Sequence, residues 1–480
     1  QSTCSRQRQM FIRERNKYNR FYMLSNGKLG FWGLTALVFG LVVGVGIYNL
    51  PQNMAHSASA GPAFLAWVIT GIGLLPLVYS FKWLSNHYPE CNAGLYQYAQ
   101  VGFGNYAGFN IAWGYWLCTA FSNVTYGIML NDSVGAFIPS LMHHSWQTIL
   151  FGSVLIWLMF FIVSRGIKTA NFINTLLAAV KIVMLVFIIV VFSLYFRFDI
   201  FDQDIWGSIA LDGSIATQIK NTMMVTLFCF FGIEGAVMMS ARARKSSDVG
   251  KAGITGFTIS LFLYISISLL CFGLMGKARL AGLQDPSVAY ILRDICGEWA
   301  YWFVICALII SLLGGWVAWT LVVAQVPYEA SIVKIFPKAF RKTNRYGMPA
   351  YGLAASSIAM ELFFILVIFA DNVYLASLHI TGLMIIPCYL FTGLFVLKVA
   401  PDRKMKLLGL FITLFCLWMA YAGGLKEFMM TSIFYLLGIG FYLKAHREYQ
   451  RTSPLFTTGE KISLLILLSA AVASIILIML

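Results

Sequence analysis

Charge is what this sequence has least of. Only 11% of its 480 residues are Asp, Glu, Lys or Arg, while 59% are hydrophobic; a soluble domain carries roughly 25% charged residues. The deficit excludes a soluble protein of this length, since there is no polar skin to cover a core. No polar stretch is long enough to form a separate soluble domain either. The nine cysteines contain no CxxC pair, so neither a metal site nor a disulfide framework is indicated, and most read as small core residues. A glycine-rich nucleotide-binding pattern is missing, which argues against an ATP-driven pump, and no repeated selectivity-filter segment suggests an ion channel. No cofactor and no enzymatic chemistry are expected.

Apolar runs of about 20 residues take the place of those features, each long enough to cross the roughly 30 Å hydrocarbon layer as a helix. They fall near 31–54, 63–82, 104–128, 147–163, 171–196, 218–240, 252–275, 299–326, 349–370, 373–397, 405–421, 426–444 and 462–480. The expectation is therefore an all-α integral membrane protein of 13 spans, or 12 if the last run lies along the interface.

The formal charge of +15, from 34 basic and 19 acidic residues, has to be read by position. Residues 1–28 hold seven Lys or Arg without the apolar core and cleavage site of a signal peptide, and are expected to be a basic cytoplasmic tail. With that tail inside, the loops carrying Arg165/Lys168, Arg242 to Lys251, Lys334 to Arg345, Lys398 to Lys406 and Lys444 to Lys461 share its side. The opposite side receives Asp199, Asp202, Asp204 and Asp212, with Lys277, Arg279 and Arg293 as a minority against the assignment. The Lys/Arg bias fixes a multi-pass protein with its amino terminus cytoplasmic. Topology thus accounts for most of the charge, and no nucleic-acid partner is needed.

Two spans are interrupted. The first, LTALVFGLVVGVGIYNLPQNMA, is broken by Gly40, Gly44 and Gly46 and followed by Pro51. Backbone groups released from a helix can bind an ion or a charged substrate end, but Gly40 and Gly44 are also spaced for close helix packing. Both readings are open. The sixth, VTLFCFFGIEGAVMMSARARK, sets Glu234 between Gly232 and Gly235 in an apolar run. A carboxylate there needs a partner, water or a proton, so it reads either as a residue of a transport cycle or as a hydrogen-bonded packing residue. If residues 29–197 and 218–399 form two inverted five-helix repeats, each repeat begins with a broken helix, and substrate would lie where the breaks meet. Residues 404–480 then form peripheral helices.

These segments resemble the amino acid–polyamine–organocation superfamily, and within it the basic amino acid/polyamine antiporters that exchange arginine for ornithine or agmatine. The resemblance runs from about Leu29 to Val399 and is carried by GVGIYNLPQNMA from Gly44, AGLYQYAQVGFGNYAGFNIAWGYWLCTAFSNVTY from Ala93, GIEGAVMMSARARKSSDVGKA from Gly232 and WTLVVAQVPYEAS from Trp319. It implies a five-plus-five inverted repeat in the bacterial inner membrane, often dimeric. The α-amino and carboxylate groups of substrate would sit near Val43, Gly44 and Gly46 and near Phe231, Gly232 and Ile233. The basic side chain would extend toward Asn123 and Trp319, with Trp316 as the alternative aromatic. A guanidinium stacks on aromatic faces and donates several hydrogen bonds, which suits that pair. Helix–helix hydrogen bonding by Asn123 and core packing by Trp319 are the competing readings.

The pattern has departures. Phe228 stands where relatives commonly have tryptophan, and Val45 replaces a small polar residue. By the same resemblance Glu234 is a gating or coupling residue, and Tyr115 shapes access to the pocket. Lys181 either tethers the broken first span or snorkels to an interface. His379 reads more readily as a packing donor than as a substrate contact. The expected function is an antiporter exchanging arginine for a related amine, with ornithine preferred over agmatine. A proton-coupled cationic amino acid permease and an amino-acid sensor are the alternatives.

Overall fold

The computed structural model describes residues 30–91, 94–141, 146–208, 213–238, 243–367, 373–449 and 454–479. The basic tail expected over 1–28, and Arg242, Arg451 and Asp212, lie outside the described residues. Every described regular element is helical, as a chain immersed in hydrocarbon requires, because a helix satisfies its own backbone hydrogen bonds. Each of the apolar runs holds a helix. Among the described residues eight helices are by themselves long and apolar enough to cross a membrane, or nine if the pair bent by 88° at Lys181–Leu194 and Phe198–Asp204 is one span. The chain is thus an all-α, multi-spanning protein.

The elements that frame the centre are α1 (Phe31–Val42), α2 (Leu50–Ser57), α3 (Ala60–His87), α4 (Leu95–Phe103), α5 (Asn105–Gly135), α6 (Trp146–Ser164), α7 (Ile167–Leu194), α8 (Phe198–Phe201), α9 (Ile215–Cys229), α10 (Gly235–Met238) and α11 (Ser246–Leu270). They continue with α12 (Lys277–Ala281), α13 (Ser287–Cys296), α14 (Glu298–Ile332), α15 (Ala350–Val367), α16 (Val373–Val399), α17 (Arg403–Ala422), α18 (Leu425–Leu436), α19 (Ile439–Glu448) and α20 (Thr458–Met479). The separate short helices α4, α12 and α13 went unforeseen in the sequence, since each is too short to register as an apolar run.

Helix α5 is buried on every face from Tyr106 almost to its end. It packs against α14 and α16, while α11 packs against α1 and α3, and α9 lies against α3 and α16. The first halves of the two broken spans, α1 and α9, are therefore themselves part of these packed groups. The α5 axis also fixes the two ends of the molecule. Gln100 of α4 donates to the Val333 carbonyl at 3.2 Å, and Lys398 donates to the Gly102 carbonyl at 2.6 Å. These bonds place the start of α5 on the face that carries Lys334 to Arg345. Its 31 residues then reach about 45 Å to the opposite face.

Candidate functional site

The first span breaks because α1 stops at Val42: Val43 takes φ −78°, ψ 79°, Gly44 takes φ −98°, ψ −143°, and a 3-10 turn runs over Val45–Tyr48 before α2 begins. Pro51 falls in the first turn of α2, where its missing N–H costs nothing. At Gly44 a Cβ would stand 2.7 Å from the Tyr126 hydroxyl, so a glycine lets that ring close on the backbone. The second break follows Cys229, where Phe230 to Glu234 run through turns in place of a helix. Gly232 has φ 108°, and a Cβ on it would lie 3.0 Å from both the Leu41 carbonyl and the Trp319 ring. Glycine is required there by conformation and by space. The second break thus lies against the backbone of the last turn of α1, just before the first break.

Carbonyls freed at a helix end need donors. Lys181, buried on α7, donates to the Val43 carbonyl at 2.7 Å. Tyr264 of α11 reaches both breaks with one hydroxyl, 2.7 Å from the Val42 carbonyl and 2.9 Å from the Cys229 carbonyl. It holds a single proton, so the two carbonyls share it.

Between the breaks lies a cavity bounded by Gly44, Gly46, Ser122, Tyr126, Phe228 and Trp319, with Phe231 and Tyr264 beside them; its volume is about 10 Å³. That is room for about one water, so anything larger enters only if the lining moves. Phe231 and Trp319 close one side as a stacked pair, ring centroids 4.9 Å apart and planes 12° from parallel.

Behind that lid Glu234 is fully buried. One oxygen accepts from Tyr115 of α5 at 2.8 Å and the other from Tyr389 of α16 at 2.9 Å. The latter also accepts the Gly232 N–H at 3.2 Å. Three donors from three segments converge on one carboxyl, which is how a buried polar group avoids its desolvation cost. They also tie the second break to the two helices that flank it.

A family model described as amino acid permease matches residues 29–479. The chain is a member of the amino acid permease family. This places it in the amino acid–polyamine–organocation superfamily, in the branch of the arginine/agmatine antiporters. A protein named arginine/agmatine antiporter from Chlamydia felis is 38% identical over 478 residues, covering 95% of this chain and 98% of that one. Its namesake from Chlamydia trachomatis serovar L2 is 39% identical over 464 residues, covering 94% and 96%. A putative amino-acid transporter of Clostridium perfringens is 36% identical over 475 residues, covering 95% and 99%. A solved Na⁺-coupled sialic acid symporter, substrate-bound and outward-open, aligns with a TM-score of 0.53 at 11% identity, over 84% of this chain and 90% of that one. At that identity the likeness concerns the fold alone. The relatives are transporters and not enzymes.

In this permease the residues singled out from sequence divide by position. Gly44, Gly46, Phe228, Phe231 and Trp319 line the cavity. Val43 has its carbonyl bonded by Lys181, and Gly232 its N–H by Glu234. Ile233 is buried in the turn and does not line the cavity. Asn123 is turned away: its amide donates to the Thr119 carbonyl at 2.7 Å and its oxygen accepts from Thr320 at 3.3 Å. One residue is a 100° turn on a helix, and it is Ser122 that faces the cavity. Trp316 is fully buried beside Gly127, and His379 bonds the Gly423 carbonyl at 2.7 Å. Tyr126, Cys229, Tyr264 and Tyr389 were missed by sequence reasoning, because a lone polar residue in an apolar run does not announce which face it takes.

Proposed function

We propose that the protein is a secondary antiporter that exchanges arginine for agmatine across the bacterial inner membrane, with its basic loops cytoplasmic. The observation that carries this reading is the identity with arginine/agmatine antiporters along nearly the whole chain. Their names also favour agmatine over the expected ornithine, since agmatine is the compound those names pair with arginine. The cavity between two broken spans supports a small zwitterion or cation as cargo.

On this reading residues 29–197 and 218–399 are inverted five-helix repeats that each begin with a break, residues 404–480 are peripheral, and two copies assemble as a homodimer. Exposed backbone at Gly44, Gly46 and Gly232 meets the polar end that substrate carries, and Phe228 and Trp319 provide faces for a guanidinium. Lys181 supplies a fixed ammonium at the Val43 carbonyl, a position where a bound cation would otherwise be needed. Glu234 joins the second break to α5 and α16 through Tyr115 and Tyr389, so its contacts must be remade when the carrier changes sides. Obligatory exchange follows if the empty carrier reorients poorly.

The test uses purified protein in sealed vesicles loaded with agmatine, ornithine, arginine or nothing, with pH and membrane potential held. Labelled arginine uptake should be strongly stimulated by internal agmatine and slow into empty vesicles. Equal uptake into empty vesicles would overturn obligatory exchange, and stimulation by ornithine alone would return the pairing to ornithine.

A further inference from the structure

Two more acidic side chains stand near the core, and among the described residues neither is paired with a cation. Asp132 lies in the last turn of α5, at the end remote from Lys334 to Arg345, and Asp285 lies in the loop between α12 and α13. Their carboxyls are within electrostatic reach of each other. The loop is pinned to the first break: Gln52 donates from its backbone to the Ser287 hydroxyl at 3.4 Å and from its side chain to the Leu283 carbonyl, and Ser287 donates to the Tyr48 carbonyl at 3.3 Å.

Like charges held together out of water repel, and a protein ordinarily resolves this with a cation. The arginines of the two flanking helices are committed elsewhere. Arg279 pairs with Asp294 at 2.7 Å, and Arg293 lies 4.0 Å from Glu298. The buried Oδ1 of Asp285 has no hydrogen-bond partner among the described residues, and burial raises this carboxyl to about 7.

A second, independent feature points into the same place. Tyr374, at the start of α16, is only 2% exposed, yet its hydroxyl has no partner among the described residues. That hydroxyl is within electrostatic reach of Asp285 and of Cys229 and Tyr126, which line the cavity. The two amide atoms of Asn49, fully buried just beyond the first break, are unpartnered in the same sense. An unsatisfied buried donor or acceptor is costly, and these four unpartnered atoms, one of them on the Asp285 carboxyl, favour a polar and cationic guest. Two carboxylates are too few for a calcium-type shell of six to eight oxygens, whereas an organic cation takes two carboxylates and a hydroxyl readily.

We propose that Asp132, Asp285 and Tyr374 form an acidic capture subsite for the guanidinium or ammonium head of the substrate, on the non-cytoplasmic side of the central cavity. Tyr374 is the hand-over point, since its hydroxyl is within electrostatic reach of both Asp285 and Tyr126 of the cavity. The inference rests on the transport reading above and assigns that site its entry.

The test measures arginine exchange in oriented vesicles, with substrate offered separately at each face, for wild type and for Asp132→Asn, Asp285→Asn and the double variant. Removing both charges should raise KM at the non-cytoplasmic face roughly tenfold, the equivalent of one lost charge-assisted contact. KM at the cytoplasmic face should stay within about twofold and kcat should hold. Discrimination against citrulline, a neutral isostere of arginine, should fall at the affected face alone. If the double variant does not assemble, each single variant reads the same asymmetry at smaller amplitude. Unchanged KM at the non-cytoplasmic face, or an equal rise at both faces, would overturn the subsite. Failure of wild type to carry any cationic substrate would instead overturn the transport reading.

Discussion

Two carboxylate environments, Glu234 at the second break and Asp285 in the loop pinned to the first, are built in opposite ways. Glu234 receives two tyrosine hydroxyls and a backbone N–H, while Asp285 leaves a buried oxygen with no partner among the described residues. A satisfied carboxyl holds segments together, and releasing it costs those contacts. An unsatisfied one gains when a cation arrives. The difference assigns Glu234 to the conformational step and the aspartates to capture, so variants on the two sides should separate in kcat and KM.

The largest effect is expected where the breaks meet. Gly232→Ala forces a side chain into φ 108° and against the Leu41 carbonyl, a strain of about 1–3 kcal/mol. Exchange should drop below a tenth of wild type with a lowered thermal midpoint; normal exchange would mean that the second break is not held as described. Next comes Glu234→Gln, in which an N–H₂ donor replaces one of the two oxygens that accept from Tyr115, Tyr389 and Gly232. Turnover should fall on the order of tenfold, about 1.4 kcal/mol in barrier, while arginine affinity measured by calorimetry stays within a few-fold. Loss of binding with intact turnover would reverse the assignment.

Smaller still, Tyr389→Phe and Tyr115→Phe each remove one donor and should slow exchange by roughly two- to fivefold, at about 0.5–1 kcal/mol. Asn123→Ala is expected to do least to arginine selectivity, because its amide is engaged within the helix pair. A loss of selectivity as large as that of Trp319→Ala would show that the side chain swings into the cavity during the cycle.

How far the sequence could be read depended on which distances mattered. Apolar runs and glycine breaks are local signals, and they marked every long helix and both interruptions. Gly232 was legible because a glycine two residues from a carboxylate, inside an apolar run, marks a place where a helix gives way. Tyr264 was not, although it bonds both breaks, because nothing near Leu263 or Ile265 in the sequence tells that its hydroxyl meets carbonyls from residues 42 and 229. The choice between Ser122 and Asn123 turned on helix phase within a run buried on all sides, where periodicity gives no bearing. Nothing in the sequence singled out Asp132 or Asp285, because 153 residues separate them along the chain and only the fold brings them within electrostatic reach.

One site is thus served by two carboxylate environments with separate duties. That division is tested by comparing Glu234→Gln with the Asp132/Asp285 double asparagine variant in one vesicle preparation, recording kcat and face-specific KM for arginine. Reduced kcat with retained KM is expected for the first, and raised non-cytoplasmic KM with retained kcat for the second. Two variants that shift the same parameter in the same way would contradict it.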